Sequence, residues 1–289
     1  MSSTLLLQAF TSGLLMGGVY GLIAMGLSLI FGVMRVINFA HGEMMVLGMY
    51  ISFWAFSLLN LDPYATIVIN AAVLFGLGFL VQRFLVNRVL EVPEEIQVLL
   101  LIGLGLVIQN SIRAAFGPDF RTVTTAYSLT AFSLAGITID LTRLNAFALA
   151  MLFTGLLYLF LKKTDLGKSV RACADNRLGA LLTGTDVTKV YAVSFGIGAA
   201  CVGAAAALLV TFLDVYPYAG HGFTMTSFVV VILGGMGSLP GALLGGLVVG
   251  VAESVAAVLI LPSLKELASF SILVLILLFR PQGIFGAGR

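Results

Sequence analysis

Charge is what this sequence has least of. Asp, Glu, Lys and Arg make up 10% of the 289 residues, against roughly 25% in soluble globular domains. A water-soluble globule is excluded, because so few charges cannot cover the surface of a chain this size in water. Hydrophobic residues fill 60% of the sequence and the mean hydropathy is +1.11, so most of the exterior faces lipid. Cysteine is scarce too. Cys173 stands in a polar stretch and Cys201 in an apolar one, with no spacing for a disulfide framework or a metal site. No Lys or Arg precedes Arg35, so the basic n-region of a cleaved secretory signal is missing and the first apolar run reads as a retained span. A formal net charge of +2 is too small to imply a nucleic-acid partner. Enzymatic signatures are missing as well: there is no HExxH pair, Walker A sequence or GxSxG elbow. His41 and His221 fall at opposite membrane faces, and no catalytic constellation or metal-ligand set can be named.

What is present is a series of apolar runs. They fall near 10–33, 42–60, 64–86, 96–116, 144–161, 190–212, 223–236, 241–260 and 266–280. At about 20 residues per helical span, residues 1–289 form a single transmembrane domain. The fold class is all-α, a polytopic bundle of about eight to nine spans. The run 223–236 is the weakest span; it is short and leads into GGMGSLPGALLGG, so a broken or re-entrant segment is the alternative there. With the N-terminus outside, the inner loops hold Arg35, Arg83, Arg88, Lys162, Lys163, Lys168, Arg171, Arg177, Lys189, Arg280 and Arg289, and the outer segments hold only Arg113, Arg121, Arg143 and Lys265. Positive charge is retained on the cytoplasmic side, which also puts the C-terminus inside. Two loops are long. Residues 117–143 alternate Thr and Ser with apolar positions and predict short strands in an external cap. Residues 162–189 form the main cytoplasmic feature, around the helix-prone KSVRACADNRLGALLTG.

In that cytoplasmic stretch, Ser169 is placed to cap a helix and Gly184 to end it. Arg171, Asp175 and Arg177 would share a polar face, with Ala174, Leu178, Leu181 and Leu182 as an apolar stripe. Docking to a partner and lying on the membrane surface are equally compatible with this spacing. Gly17 and Gly21, then Gly196, Ala200 and Ala204, then Gly237, Gly241 and Gly245 recur every four residues and permit close helix packing. Pro240 predicts a kink or loop within 231–250. Two carboxylates fall in apolar runs, Glu43 and Glu253, where a charge costs about 2.5–3.5 kcal/mol and so faces the bundle interior or water. Glu43, close after Asn38 and His41, reads equally as a helix cap. Asn70, Gln109 and Asn110 read as interhelical hydrogen-bond partners.

Four blocks carry a resemblance over nearly the whole chain: GLIAMGLSLIFGVMRVINFAHGEMMVLGMY at 21–50, RACADNRLGALLTGTDV at 171–187, VVVILGGMGSLPGALLGG at 229–246 and LLFRPQGIFG at 277–286. The chain resembles the permease subunits of branched-chain amino acid ABC transporters, a group related to the urea and short-amide importers, and within them the shorter of the two permease types. The resemblance implies that the segment matching 171–187 is a coupling helix engaging an ATPase, with Arg171, Asp175, Arg177 and Gly184 as contact candidates. It implies a second permease subunit, two ATP-binding subunits that hold ATP and Mg, a periplasmic solute-binding protein, and a place in the bacterial inner membrane. No cofactor is expected in this chain. Asn38, His41, Glu43, Gly235, Gly237 and Pro240 would lie near the pathway or gate, to which Glu253 is added as an intramembrane carboxyl. The expected function is ATP-driven import of a small amino acid, branched-chain above all, or a related amide or urea. A self-sufficient secondary transporter or channel, coupling an ion through Glu43 or Glu253, is the competing class.

Overall fold

The computed structural model describes residues 3–134, 136–280 and 282–285. Among them are eleven α-helices and a two-stranded antiparallel sheet. In order they are α1 (Ser3–Met34), α2 (His41–Leu59), α3 (Thr66–Phe84), α4 (Glu94–Phe116), β1 (Ala131–Leu134), β2 (Ile137–Asp140), α5 (Leu141–Lys163), α6 (Asp165–Asp175), α7 (Arg177–Leu182), α8 (Val187–Leu209), α9 (Ala219–Gly234), α10 (Leu239–Leu259) and α11 (Lys265–Phe279). Eight of the long helices, α11 counted with the turn before it at Pro262–Leu264, are apolar enough to cross a membrane. The chain is a polytopic helical membrane bundle.

The remaining apolar run, 223–236, is α9. Its 16 residues reach about 24 Å at 1.5 Å per residue, short of a hydrocarbon core of roughly 30 Å. The break that Pro240 predicts lies ahead of it, at Gly235–Ser238. Gly235 and Gly237 have φ of 95° and 86°, a conformation that glycine adopts without a Cβ clash. Pro240 itself sits in the first turn of α10, where a missing amide N–H costs no hydrogen bond. The Ser238 hydroxyl caps that helix by accepting the Gly241 N–H at 3.2 Å.

Small residues set the packing. Gly13 lies against Gly250, Gly17 against Gly246, Gly21 against Leu243 and Gly32 against Gly237, so α1 and α10 run antiparallel in near backbone contact. A Cβ on Gly17 would come 2.7 Å from Gly246 O. On the other side of α8, Gly78 meets Ala199 and Gly203 meets Asn70, an antiparallel α3–α8 contact of the same kind. α1 and α8 are mostly buried at the centre, while α4, α5 and α11 turn much of their surface outward. Asn70 Nδ2 donates to Gly48 O at 3.0 Å and to the Ser52 hydroxyl at 2.8 Å, the interhelical role its position predicts. Asn110 differs: it donates to Leu106 O of its own helix and is exposed, because α4 turns that face away from the bundle.

The two ends of the bundle are distinct. At one, Gln8 of α1 exchanges two hydrogen bonds with Thr138 of the β1–β2 hairpin (2.7 and 2.8 Å), Tyr127 donates to Asp62 at 2.8 Å, and Thr122 donates to Asp214 at 2.7 Å. The other end carries α6 and α7. With about 1–3 kcal/mol as the cost of overpacking a tight contact, Gly17→Val will lower the thermal stability of the detergent-solubilised chain by that amount. Gly76→Ala, with nothing within 4 Å of its Cβ, will leave the melting curve unchanged.

Candidate functional site

α1 ends at Arg35, whose φ of 57° is left-handed and whose N–H donates to Phe31 O at 2.7 Å. The chain then doubles back. His41 Nε2 lies 3.0 Å from Ile23 O, eleven residues and about 16 Å before the end of α1. Six residues at roughly 3.3 Å each cover that return, so α2 starts beside the middle of α1. Val36, Asn38, Ala40 and His41 are fully buried, the condition under which non-helical backbone is tolerated at membrane depth. Asn38 Oδ1 accepts the Ala40 N–H at 3.1 Å and so holds the last turn before α2.

Thr224 of α9 completes this junction. Its hydroxyl accepts the Gly42 N–H at 3.0 Å and donates to Glu43 Oε2 at 3.3 Å. One side chain thereby pairs a free amide of the α2 N-terminus and the carboxyl standing in that first turn, where negative charge suits the helix dipole. A Cβ on Gly42 would run into Gly220 O, and one on Gly220 would crowd the backbone and carboxyl of Glu43. Glu253 of α10 is buried as well. It accepts from the Tyr20 hydroxyl at 2.9 Å and from the Ser269 hydroxyl of α11, and such donors offset the cost of burying a carboxyl. The Tyr20 ring packs edge-on against Phe223, with centroids 6.4 Å apart. Phe223 and Thr224 are consecutive, so both carboxyl clusters grip the same turn of α9.

The basic end is built differently. Two helices replace the single one predicted there. Thr164, not Ser169, caps α6 by accepting the Gly167 N–H at 3.0 Å, and Ser169 lies inside the helix, donating to Asp165 O. Asn176 leaves helical geometry and caps α7 by accepting the Gly179 N–H at 2.9 Å. Gly184 closes α7 with φ 82°. Arg171 reaches back to Leu161 O, and Arg177 pairs with Glu91 at 3.5 Å. Lys168 hydrogen-bonds Asp165 and holds its carboxyl below the usual range, while burial pushes the Cys173 thiol up. A cavity of about 950 Å³ opens between this layer and the bundle, walled by Arg35, Lys162, Arg171, Asp175, Gly237 and Gln282. The terminal segment crosses its edge. Ile284 N–H donates to Leu233 O and Phe285 N–H to Gly234 O, pairing carbonyls at the end of α9.

The residues singled out in the sequence therefore fall in four places. Asn38, His41 and Glu43 surround the start of α2; Glu253 joins α1, α10 and α11; Gly235, Gly237 and Pro240 shape the α9–α10 turn against Gly32. Arg171, Asp175, Arg177 and Gly184 belong to α6, α7 and the turn after them. Tyr20, Thr224 and Ser269 carry the polar contacts but escaped the sequence reading, being single hydroxyls within apolar runs. Among the described residues, no three His, Cys, Asp or Glu side chains gather where a metal could bind. Thr224→Val leaves both the Gly42 amide and the Glu43 carboxyl short of a partner. It will lower stability in detergent by about 1–3 kcal/mol, and Thr224→Ser will restore most of that.

Comparison with known proteins adds the family. The model of the "Branched-chain amino acid transport system / permease component" family matches residues 9–279. The chain is 32% identical to the high-affinity branched-chain amino acid transport system permease protein BraD of Pseudomonas aeruginosa, over 97% of this chain and 95% of that protein. It is also 32% identical, with the same coverage, to LivH of Escherichia coli K12. A probable branched-chain amino acid transport permease of Methanocaldococcus jannaschii is 26% identical over 92% of this chain and 88% of its own length. A family model matching residues 9–279, with a relative 32% identical over 97% of the chain, makes it a member of the branched-chain amino acid transport permease family.

Proposed function

We propose that this chain is the membrane subunit of an ATP-driven importer that carries a branched-chain amino acid across the bacterial inner membrane by alternating access. A second permease subunit would pair with it, two ATP-binding subunits would hold ATP and Mg, and a periplasmic solute-binding protein would deliver the solute. Family membership supports the transport role. The relatives' names supply the solute class.

The observation that carries the coupling is the surface of α7. Leu178, Leu181 and Leu182 are 68%, 48% and 82% exposed on a helix of six residues, alongside Arg177 and Gly184. Apolar side chains in that setting suit a partner's groove, with the charged residues fixing orientation. Arg171, through Leu161 O, and Arg177, through Glu91, tie this layer to the ends of α5 and to the turn before α4, so a push on α7 is transmitted to the spans. The same end gathers Arg35, Lys162, Lys163, Lys168, Arg171 and Arg177, which supports a cytoplasmic position with the N-terminus outside. The hairpin end then faces the solute-binding protein.

The chain needs partners because it has no phosphate-binding loop of its own. Nucleotide-driven closure of the ATPases would tilt the bundle through α6 and α7, open the hairpin side, and reset on hydrolysis; the bias comes from differential binding to the two conformations. The α9 turn held by Glu43 and Glu253 is the part of the pathway wall that such a tilt would shift. Replacing Leu178, Leu181 and Leu182 together by Ser will abolish co-purification of the ATP-binding subunits while the chain still inserts and keeps its melting temperature. Retention of the ATPases by that variant would contradict the coupling assignment.

A further inference from the structure

At the hairpin end, four side chains close a ring. The Arg121 guanidinium carbon lies 5.1 Å from the ring centroid of Trp54 and 5.3 Å from that of Phe53. Trp54 packs against Phe116 at 5.5 Å, and Phe116 stacks on Tyr50 at 5.0 Å with the rings 15° from parallel. The Tyr50 hydroxyl in turn faces Arg121. Tyr50 is 1% exposed, while Trp54 and Arg121 are half-buried towards the end of the bundle, so Tyr50 forms the deep side of the ring and the other two its outer side.

Ring packing accounts for the aromatic surfaces and leaves the polar atoms unexplained. Trp54 Nε1 and Arg121 Nε are shielded from solvent with no hydrogen-bond partner, and the Tyr50 hydroxyl, shielded as well, has Arg121 beside it without closing a well-formed hydrogen bond. Arg121 Nη2 donates to Phe116 O at 2.6 Å, and among the described residues no carboxylate forms an ion pair with this guanidinium. The large majority of buried polar side-chain atoms are paired in native proteins, and an arginine fork with nearby neutral donors matches the oxygens of a carboxylate in both charge and geometry. Phe53 and Phe116 add apolar ring faces beside it.

We propose that Tyr50, Trp54 and Arg121 form a carboxylate-binding subsite that receives the solute's α-carboxylate at the outer side of the permease. The inference rests on the permease reading and deepens it. Urea and short amides carry no negative charge, so a site built on an otherwise uncompensated guanidinium selects amino acids over them. The chain's own Asp119, exposed on the loop before Arg121 and near enough to act on Tyr50, is the competing carboxylate.

Trp54 is the only tryptophan in the sequence, so its emission reports this ring alone in the full-length chain purified in detergent. In chloride-free buffer, sodium acetate and L-leucine will change that emission saturably, and acetamide, the neutral isostere, will not. Arg121→Gln will abolish the response. Tyr50→Phe keeps the stacked ring and removes only the hydroxyl; it will weaken half-saturation about tenfold at an unchanged melting temperature, which keeps the test valid where the arginine variant folds poorly. Four results would each overturn the proposal: no response to acetate or leucine, an equal response to acetamide, an equal response to chloride, or an acetate response that appears only in Asp119→Asn. No ATPase takes part in this measurement, so its failure leaves the co-purification result untouched, and loss of co-purification leaves the emission result untouched.

Discussion

Along the contact between α1 and α10, Gly17 lies against Gly246 and Gly13 against Gly250, and in hydrocarbon this closeness has to supply what apolar burial supplies in water. Lipid tails are as apolar as leucine, so helices associate there through van der Waals packing and hydrogen bonds. Backbones that touch make the most such contacts per residue. The α3–α8 pair repeats the device through Gly78 and Gly203. These two tight pairs fix α1 and α8 at the centre, and the remaining helices are placed by what they can attach to that frame.

Buried polar groups fix where the rest attaches. The start of α2 is held at mid-length of α1 by His41 and Ile23, and α9, too short to span alone, is seated by Thr224 on Glu43 and by Phe223 on the Tyr20 that bonds Glu253. α11 has a largely outward surface and is joined to the bundle through Ser269 and the same Glu253. These hydrogen bonds and the Tyr20–Phe223 ring contact add to apolar packing by α2, α9 and α11, where the frame relies on extended glycine contacts. In the proposed cycle of alternating access, these outer elements are the ones that would shift relative to the α1–α10 and α3–α8 frame.

The span pattern was legible because hydrocarbon imposes a length and a composition that few sequences meet by accident. The runs at 42–60 and 96–116 fall within two residues of α2 and α4. The break before Pro240 was legible for the same reason: glycine and proline have few backbone options. The α6–α7 layer was less so. Asn176 and Thr164 are ordinary polar residues in a polar stretch, and only the fold shows that their side chains cap separate helices while Ser169 does not. The partners of the buried carboxyls were illegible, since Tyr20 and Glu253 are 233 residues apart in sequence and no periodicity joins them. The ring around Arg121 was hidden likewise: α2, α4 and the loop after it meet only when the bundle closes.

In the proposed function the chain is a conduit that moves solute only when partners work on its α6–α7 layer. The direct measurement is solute accumulation in proteoliposomes, with the permease reconstituted alone and then together with the second permease, the ATP-binding subunits and the solute-binding protein. Uphill uptake of a branched-chain amino acid that requires the partners and ATP is the expected result. Accumulation against a gradient by the isolated chain, driven by an ion and indifferent to ATP, would contradict it.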